Sequence, residues 1–378
     1  MNLSVAVIGT GNPASSDGYA MAYRHAKAYQ RLASCELVGC ADIVPSNAVA
    51  FAETFDIDPD GVFKSYERML EDVAPTIVSV CTPPTTHAEI VITAAAHECV
   101  RAIHCEKPMA ATWGECTEMV NECTRCNVQL TFNHQRRFAA PFREAKRLLD
   151  SGSIGPLNRI EIGGSDLYDY GTHLFDLCGM YTQQTPIEWV IGQVEHRDAS
   201  MMYGLPQERQ ALLHWRYNDD VDGIASTGAG KFVEPHIRLI GDDGTIEVGA
   251  TSSSPLRIKS KNGNWRTVDT GRDGVWRAHP NPVDRVAQRI PIGPDRLLRH
   301  SSYVDRAIND IVGALEGKFH SELRAENAIQ STEVIFAGWE SARRGGRVTL
   351  PLQIDDNPLR SLVEERKASP IAERAVSE

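Results

Sequence analysis

The chain has 378 residues and a formal charge of -11, with 42% hydrophobic and 24% charged residues. That length calls for two cores, since a single one rarely grows past about 250–300 residues. So acidic a balance argues against a nucleic-acid partner, which needs a basic face, and no apolar run approaches the roughly 20 residues of a membrane helix.

Met1-Asn2-Leu3-Ser4 has no basic n-region and passes straight into a strand, so no signal peptide is read. The nine cysteines are odd in number and scattered through apolar segments, which fits a reducing compartment better than a disulfide framework. The expected location is cytoplasmic.

Val5-Ala6-Val7-Ile8 reads as a buried strand ending in Gly9-Thr10-Gly11, with a helix from Met21 to Gln30 behind it. Strand, glycine turn and helix together let backbone N–H groups approach a pyrophosphate, so Gly9, Thr10, Gly11 and Asn12 are candidate cofactor contacts. A regular fingerprint has a third glycine where this chain has Ala14. The stretch Asn12 to Tyr19 reads as an insertion, with Gly18 or Ala22 as the close-packing residue. The next strand, Glu36 to Ala41, ends in Asp42, whose carboxylate can accept both ribose hydroxyls of an adenine dinucleotide. It would repel a 2′-phosphate, and Ile43-Val44 brings no arginine to neutralise one. NAD is therefore expected, with NADP the alternative. Asp42 can also simply cap the helix that Pro45-Ser46 begins.

A helix over Asn47 to Phe55, a strand at Val62-Phe63 and a helix over Tyr66 to Asp72 follow. The strand Thr76 to Cys81 runs into Thr82-Pro83-Pro84-Thr85-Thr86-His87. Two prolines make that loop rigid, a wall for a flat nucleotide or a plain turn, and Thr86 can cap a helix from His87 to Ala96. The strand Arg101 to Cys105 stops at Glu106-Lys107-Pro108, where the proline removes a backbone donor and keeps Lys107 extended. A lysine there faces the crevice beyond the strand tips, where open parallel sheets bind ligands. The helix Trp113 to Cys126 and strand Gln129 to Phe132 complete an alternation that predicts a doubly wound parallel sheet. Cys123-x-x-Cys126, near Cys116, has half a zinc spacing without a second pair, so no metal site is expected.

Pro141 to Asp150 has helical amphipathicity, Arg159 to Ile162 reads as a strand, and a helix follows from Tyr170 to Tyr181. Asp169 and His173 are four apart at its start, so both face one side, with Asp169 at the N-cap or in the first turn. A carboxylate beside an imidazole orients it and favours its protonated form. Asp176, one turn on, reads as structural. Strands are expected at Glu188–Glu195, Gln210–Tyr217, Gly223–Thr227, His236–Ile240, Thr245–Val248, Leu256–Lys259 and Trp265–Val268, with Asp242-Asp243-Gly244 a hairpin turn. The stretch Val275 to Pro294 reads as a loop. Helices are expected over Tyr303–Leu315 and Ala325–Arg344, and a loosely held polar tail from Asp355.

Gly9-Thr10-Gly11, His25-Ala26, Asp42, Thr82-Pro83-Pro84 with His87, and Glu106-Lys107-Pro108 occur here in order. With Phe132-Asn133-His134-Gln135-Arg136-Arg137-Phe138, Ser151-Gly152-Ser153-Ile154-Gly155, Asp169-x-x-x-His173 and Gly345-Gly346-Arg347-Val348, the chain resembles the Gfo/Idh/MocA family over about residues 3 to 351. The resemblance implies an α/β N-terminal Rossmann domain, here residues 1–132, and a C-terminal α+β domain, residues 133–354. The latter is built on an open, mainly antiparallel sheet, with residues 355–378 left as a polar tail. It implies hydride transfer between a nicotinamide and a hydroxyl carbon of a sugar, inositol or related polyol. Lys107, Asp169 and His173 are then catalytic. The cofactor set is Gly9, Thr10, Gly11, Asn12, Asp42, Thr82, Pro83, Pro84, His87, Glu106 and Lys107.

His173 is expected as principal base with Lys107 its electrostatic partner, because an ordinary lysine amine stays charged at neutral pH. Lys107, His134, Arg136, Tyr168, Asp169 and His173 are the candidate substrate contacts, with Arg137 a further lining residue. Alternatives are a redox-neutral NAD-dependent glycosidase and a non-catalytic dinucleotide-binding sensor. An open sheet face suggests a homo-oligomer, a homodimer or homotetramer.

Overall fold

A computed structural model describes residues 2–12, 21–197, 199–251, 254–271, 273–276 and 302–368. Most of the expected insertion after Asn12, including Ala14 and Gly18, lies outside them. So do residues 277–294 of the expected loop and 369–378 of the tail.

The first half alternates as its apolar runs predict: β1 (Leu3–Ile8), α1 (Met21–Tyr29), β2 (Cys35–Ala41), α2 (Pro45–Phe55), β3 (Val62–Phe63), α3 (Tyr66–Val73), β4 (Ile77–Val80), α4 (His87–Ala95), β5 (Ala102–Cys105), α5 (Trp113–Arg125) and β6 (Gln129–Phe132). The six strands are parallel and ordered β3-β2-β1-β4-β5-β6, so the order reverses between β1 and β4. Ligands of open α/β sheets bind at that switch point. Local signals start several helices. Ser65 caps α3 and Thr112 with Glu115 forms a capping box on α5. Thr86 departs from expectation, because its hydroxyl donates to the Pro83 carbonyl and to Thr82 Oγ1 within a short helical turn, Pro84–Thr86.

The second half contains α6 (Ala140–Asp150), β7 (Leu157–Gly164), α7 (Gly171–Tyr181), β8 (Ile187–Glu195), a hairpin of β9 (Ser200–Met202) and β10 (Leu205–Gln207), β11 (Gln210–Tyr217), β12 (Asp222–Gly228), β13 (Ile237–Gly241), β14 (Gly244–Thr251), β15 (Ser254–Ser260) and β16 (Arg266–Thr267). Three helices and a strand follow: α8 (Tyr303–Leu315), α9 (Ala325–Arg344), β17 (Val348–Thr349) and α10 (Pro358–Ala368). Nine strands form a sheet ordered β16-β15-β14-β13-β7-β12-β11-β8-β17, antiparallel except for β7 beside β12. Along β11 the side chains alternate, Ala211, Leu213, Trp215 and Tyr217 buried under helices, Leu212 facing out. Among the described residues no helix covers the other face.

Two segments depart from the expected division of the chain. Helix α8 packs back on the first domain, where Val304, Ala307, Ile308, Ile311 and Val312 share a core with Leu3, Val5, Tyr29, Ile77 and Ala102. Residues 356–368 are docked rather than loose. Leu359 is fully buried, Asn357 donates to the Ala111 carbonyl, and Arg343 pairs with Asp356. A polar helix with only Leu359 and Leu362 packed on the core gives little periodicity, which is why this stretch reads as a tail.

Candidate active site

A cleft of about 380 Å³ opens between the start of α1, the tips of β4 and β5 and the start of α7. Gly9 ends β1 at φ +82°, and a Cβ there would lie 2.5 Å from Thr82 Cγ2 and 3.0 Å from Thr82 N. Only glycine allows these two strand tips to meet. Asp42 ends β2 and fastens the turn. One carboxylate oxygen accepts from Gly11 N at 2.8 Å and Thr10 Oγ1 at 3.0 Å, the other from Val44 N at 2.9 Å. Helix α2 takes no side-chain cap.

Thr82, Pro83 and Pro84 line the cleft, as do Glu106 and Lys107. His87 does not. It is fully buried, with Nε2 2.8 Å from the Thr82 carbonyl and Nδ1 3.0 Å from those of Pro108 and Met109. Its role is to tie two strand-end loops together.

Lys107 reaches across from β5, donating from Nζ to Asp169 Oδ1 at 2.6 Å and to the Asp169 carbonyl at 3.0 Å. His173 lines the same cleft from α7. The expected carboxylate–imidazole pair is replaced by a carboxylate–amine pair. Tyr170 is the residue at the N-cap, so Asp169 stands outside the helix and turns to the other domain. His173 has a buried Nδ1 with no partner among the described residues. Burial, then the charges of Lys107, Arg136 and His134, hold its pKa well below the ordinary imidazole value. The imidazole is neutral, contrary to the protonated form that an adjacent carboxylate would favour.

Behind the cleft, Glu106 Oε1 lies 3.0 Å from His25 Nε2 and accepts from Asn133 Nδ2 at 2.6 Å. Burial opposes the Glu106 charge, but His25, Asn133 and Lys107 outweigh it and hold the carboxyl at about 2. Burial likewise opposes the charge on His25, yet the Cys81 sulfur and Glu106 raise it to about 10.

Of the expected substrate contacts, Arg136 lines the cleft. Its guanidinium donates to the Val275 and Trp276 carbonyls, both at 2.9 Å, and stacks 4.3 Å from the Trp276 ring centre. His134, Arg137 and Tyr168 are structural. Arg137 pairs two-pronged with the buried Asp176, His134 sits 3.2 Å from the same carboxylate, and Tyr168 donates its hydroxyl to the Ala110 carbonyl. Asp176 is thus structural, as expected.

Sequence reasoning missed Arg24, Gln135, Tyr170, Tyr203 and Trp276, which also line the cleft. Tyr170 donates or accepts at His236 Nδ1, 2.6 Å away, and packs 4.8 Å from Trp276. Tyr203 sits at the tip of the β9–β10 hairpin, too short for a periodic signal. Tyr170 lies within the Asp169-x-x-x-His173 motif and Gln135 within the Phe132–Phe138 stretch, so these two carry a sequence signal.

The sequence profile of an oxidoreductase family with an NAD-binding Rossmann fold matches residues 3–134. Over 136 residues the chain is 29% identical to myo-inositol 2-dehydrogenase of Thermotoga maritima, covering 31% of this chain and 40% of that one. Over 204 residues it is 28% identical to D-glucoside 3-dehydrogenase of Escherichia coli, covering 49% and 55%. The matches thus span about half the length of these relatives. In fold, the chain is similar to an inositol dehydrogenase homologue of Azotobacter vinelandii crystallised with NADH and myo-inositol. The TM-score is 0.70 at 18% identity, over 92% of this chain and 98% of that one.

Proposed function

On the premise that residues 3–134 place this chain in the Gfo/Idh/MocA oxidoreductase family, we propose that it is an NAD-dependent dehydrogenase acting on a hydroxyl carbon of a sugar, inositol or related polyol. The observation that carries the reading is the Lys107–Asp169 pair at 2.6 Å, which joins the two domains across the cleft that His173 also lines. The named activities of the inositol and glucoside dehydrogenase relatives support the substrate class.

The described residues fit a dinucleotide. The close approach at Gly9 brings the β1 and β4 tips together, and Asp42 stands at the end of β2, bonded to Gly11 N, with Ile43 exposed beside it. A carboxylate there favours NAD over NADP. When bound, the nicotinamide supplies the hydride acceptor. Lys107, held by Asp169, binds and orients the substrate hydroxyl. His173, uncharged, receives the hydroxyl proton. Tyr170 and Trp276 form an apolar wall for the ring carbons.

Lys107→Met should lower turnover by about 10²–10⁴-fold while NAD titration by protein fluorescence shows binding largely intact. An unaltered kcat would remove the assignment. The same assay separates the rivals: NADH accumulation with free polyols, sugars or sugar acids supports the dehydrogenase. Release of an aglycone without NADH supports the redox-neutral glycosidase.

The uncovered sheet face, with Ile191 and Leu212 exposed, is proposed as a contact between copies. All nine cysteines are free thiols, which fits a reducing, cytoplasmic setting. No described helix is long and apolar enough to cross a membrane.

A further inference from the structure

We propose that Cys81 is a reactive thiol of the cleft, activated by His25 and Glu106, and that small hydroperoxides and other soft electrophiles modify it. The proposal goes beyond the dehydrogenase reading and does not rest on it. Cys81 follows β4 and lines the cleft, partly exposed, with its sulfur 3.4 Å from His25 Nδ1. The far side of the ring, Nε2, lies 3.0 Å from Glu106 Oε1. Nucleophile, base and orienting carboxylate thus stand in the order that activates a nucleophile by proton transfer. Glu106 holds the proton on Nε2, which leaves Nδ1 to take the thiol proton. The resulting thiolate–imidazolium pair faces the cleft.

No step assigned to Lys107, Asp169 or His173 uses this cluster. Five other cysteines, Cys40, Cys105, Cys116, Cys123 and Cys178, are buried. The remaining three lie outside the cleft lining. Ser79 Oγ shares Nδ1 at 2.8 Å, and its hydroxyl can donate or accept as the ring changes charge.

Other titratable groups face this cluster. His104 stacks on His25 with ring centres 5.0 Å apart, and burial keeps it neutral. Burial also pushes up the Tyr29 phenol and the Cys105 thiol. Lys107 adds a positive charge beside Glu106. None of these supplies a competing base to Cys81.

With a hydroperoxide the sulfur attacks one oxygen, so an S–O bond forms as the O–O bond breaks. The leaving alkoxide takes the proton from His25 and departs as alcohol, or as water from hydrogen peroxide. Sulfur loses two electrons and the peroxide gains them. The sulfenic acid then stands beside Thr82 at the mouth of the cleft.

The test is timed labelling of the full-length protein with iodoacetamide, without dinucleotide, with peptide mass spectrometry reading each cysteine. An ordinary thiol gains roughly seventyfold in thiolate between pH 6 and pH 8. Cys81 should be labelled first and change less than about threefold over that range. Hydrogen peroxide followed by a sulfenic-acid trap should tag the same peptide. His25→Gln, with Glu106→Gln as a second variant, should restore the ordinary pH dependence. A seventyfold rise at Cys81 in the unaltered protein, or labelling led by another cysteine, overturns the proposal. That result would leave the NAD titration and its reading untouched.

Discussion

At His173 the local charges decide the chemistry. Burial and two neighbouring cations keep the imidazole neutral well below its ordinary pKa, so as a base it stays unprotonated in mild acid. The acid limb of kcat/KM should therefore lie below pH 6.5, the ordinary imidazole value. A limb at or above that value would show that another group takes the proton. In His173→Asn the residual rate should lose this limb altogether.

Glu208 carries an opposite dependence. Burial raises its carboxyl to about 7, although Leu167 N and the Trp339 indole donate to it. A native pKa above the unfolded value means the folded state binds the proton more tightly. This contribution to stability is full below about pH 4.5 and is lost as pH rises through about 7. Glu208→Gln should flatten that part of the urea-midpoint profile, and a profile identical to the parent would refute the assignment. Both expectations are readable only from the folded chain, because spacing along a sequence does not report burial. Lys107 was legible because a strand, a carboxylate and a proline fix where it stands. The partner of Asp169 was not, since the helix begins one residue later than the motif suggests.

Elements reach the site through their packing. Helix α9 crosses β8 where two glycines meet, and a Cβ on Gly192 would come within 2.6 Å of the Gly338 carbonyl oxygen. Gly192→Ala has backbone to displace, so it should cost about 1–3 kcal/mol in chemical denaturation. Arg137, between β6 and α6, clamps the buried Asp176 of α7 with two bonds at 2.7 and 2.9 Å. Arg137→Ala strands a buried carboxylate and should cost about 3–5 kcal/mol. A loss below 1 kcal/mol would show the pair to be dispensable. Strand and helix alternation was readable because buried parallel strands are continuous apolar runs. The β9–β10 hairpin and α10 were not, having three-residue strands and one buried leucine for signal.

For the molecule as a whole, the cleft depends on elements far apart in sequence. Asp169 and His173 come from the second domain and Lys107 from the first, and the family's sequence profile covers only the first. The uncovered sheet face gives the assembly expectation. Ile191→Glu with Leu212→Glu should lower the molar mass measured by light scattering, and an unchanged mass would remove that face from the contact. Across it Arg238 bridges Glu161 and Glu247, a polar network beside the apolar pair.

The return of α8 to the first sheet bears on how the chain is made. A ribosome that has released the first 132 residues has built β1 and β4 without the helix that seals Val5 and Ile77. Those early strands wait for residues 303–315 and present a sticky apolar face meanwhile. Expressed alone, residues 1–132 should precipitate, and tethering the α8 sequence to their end should restore solubility.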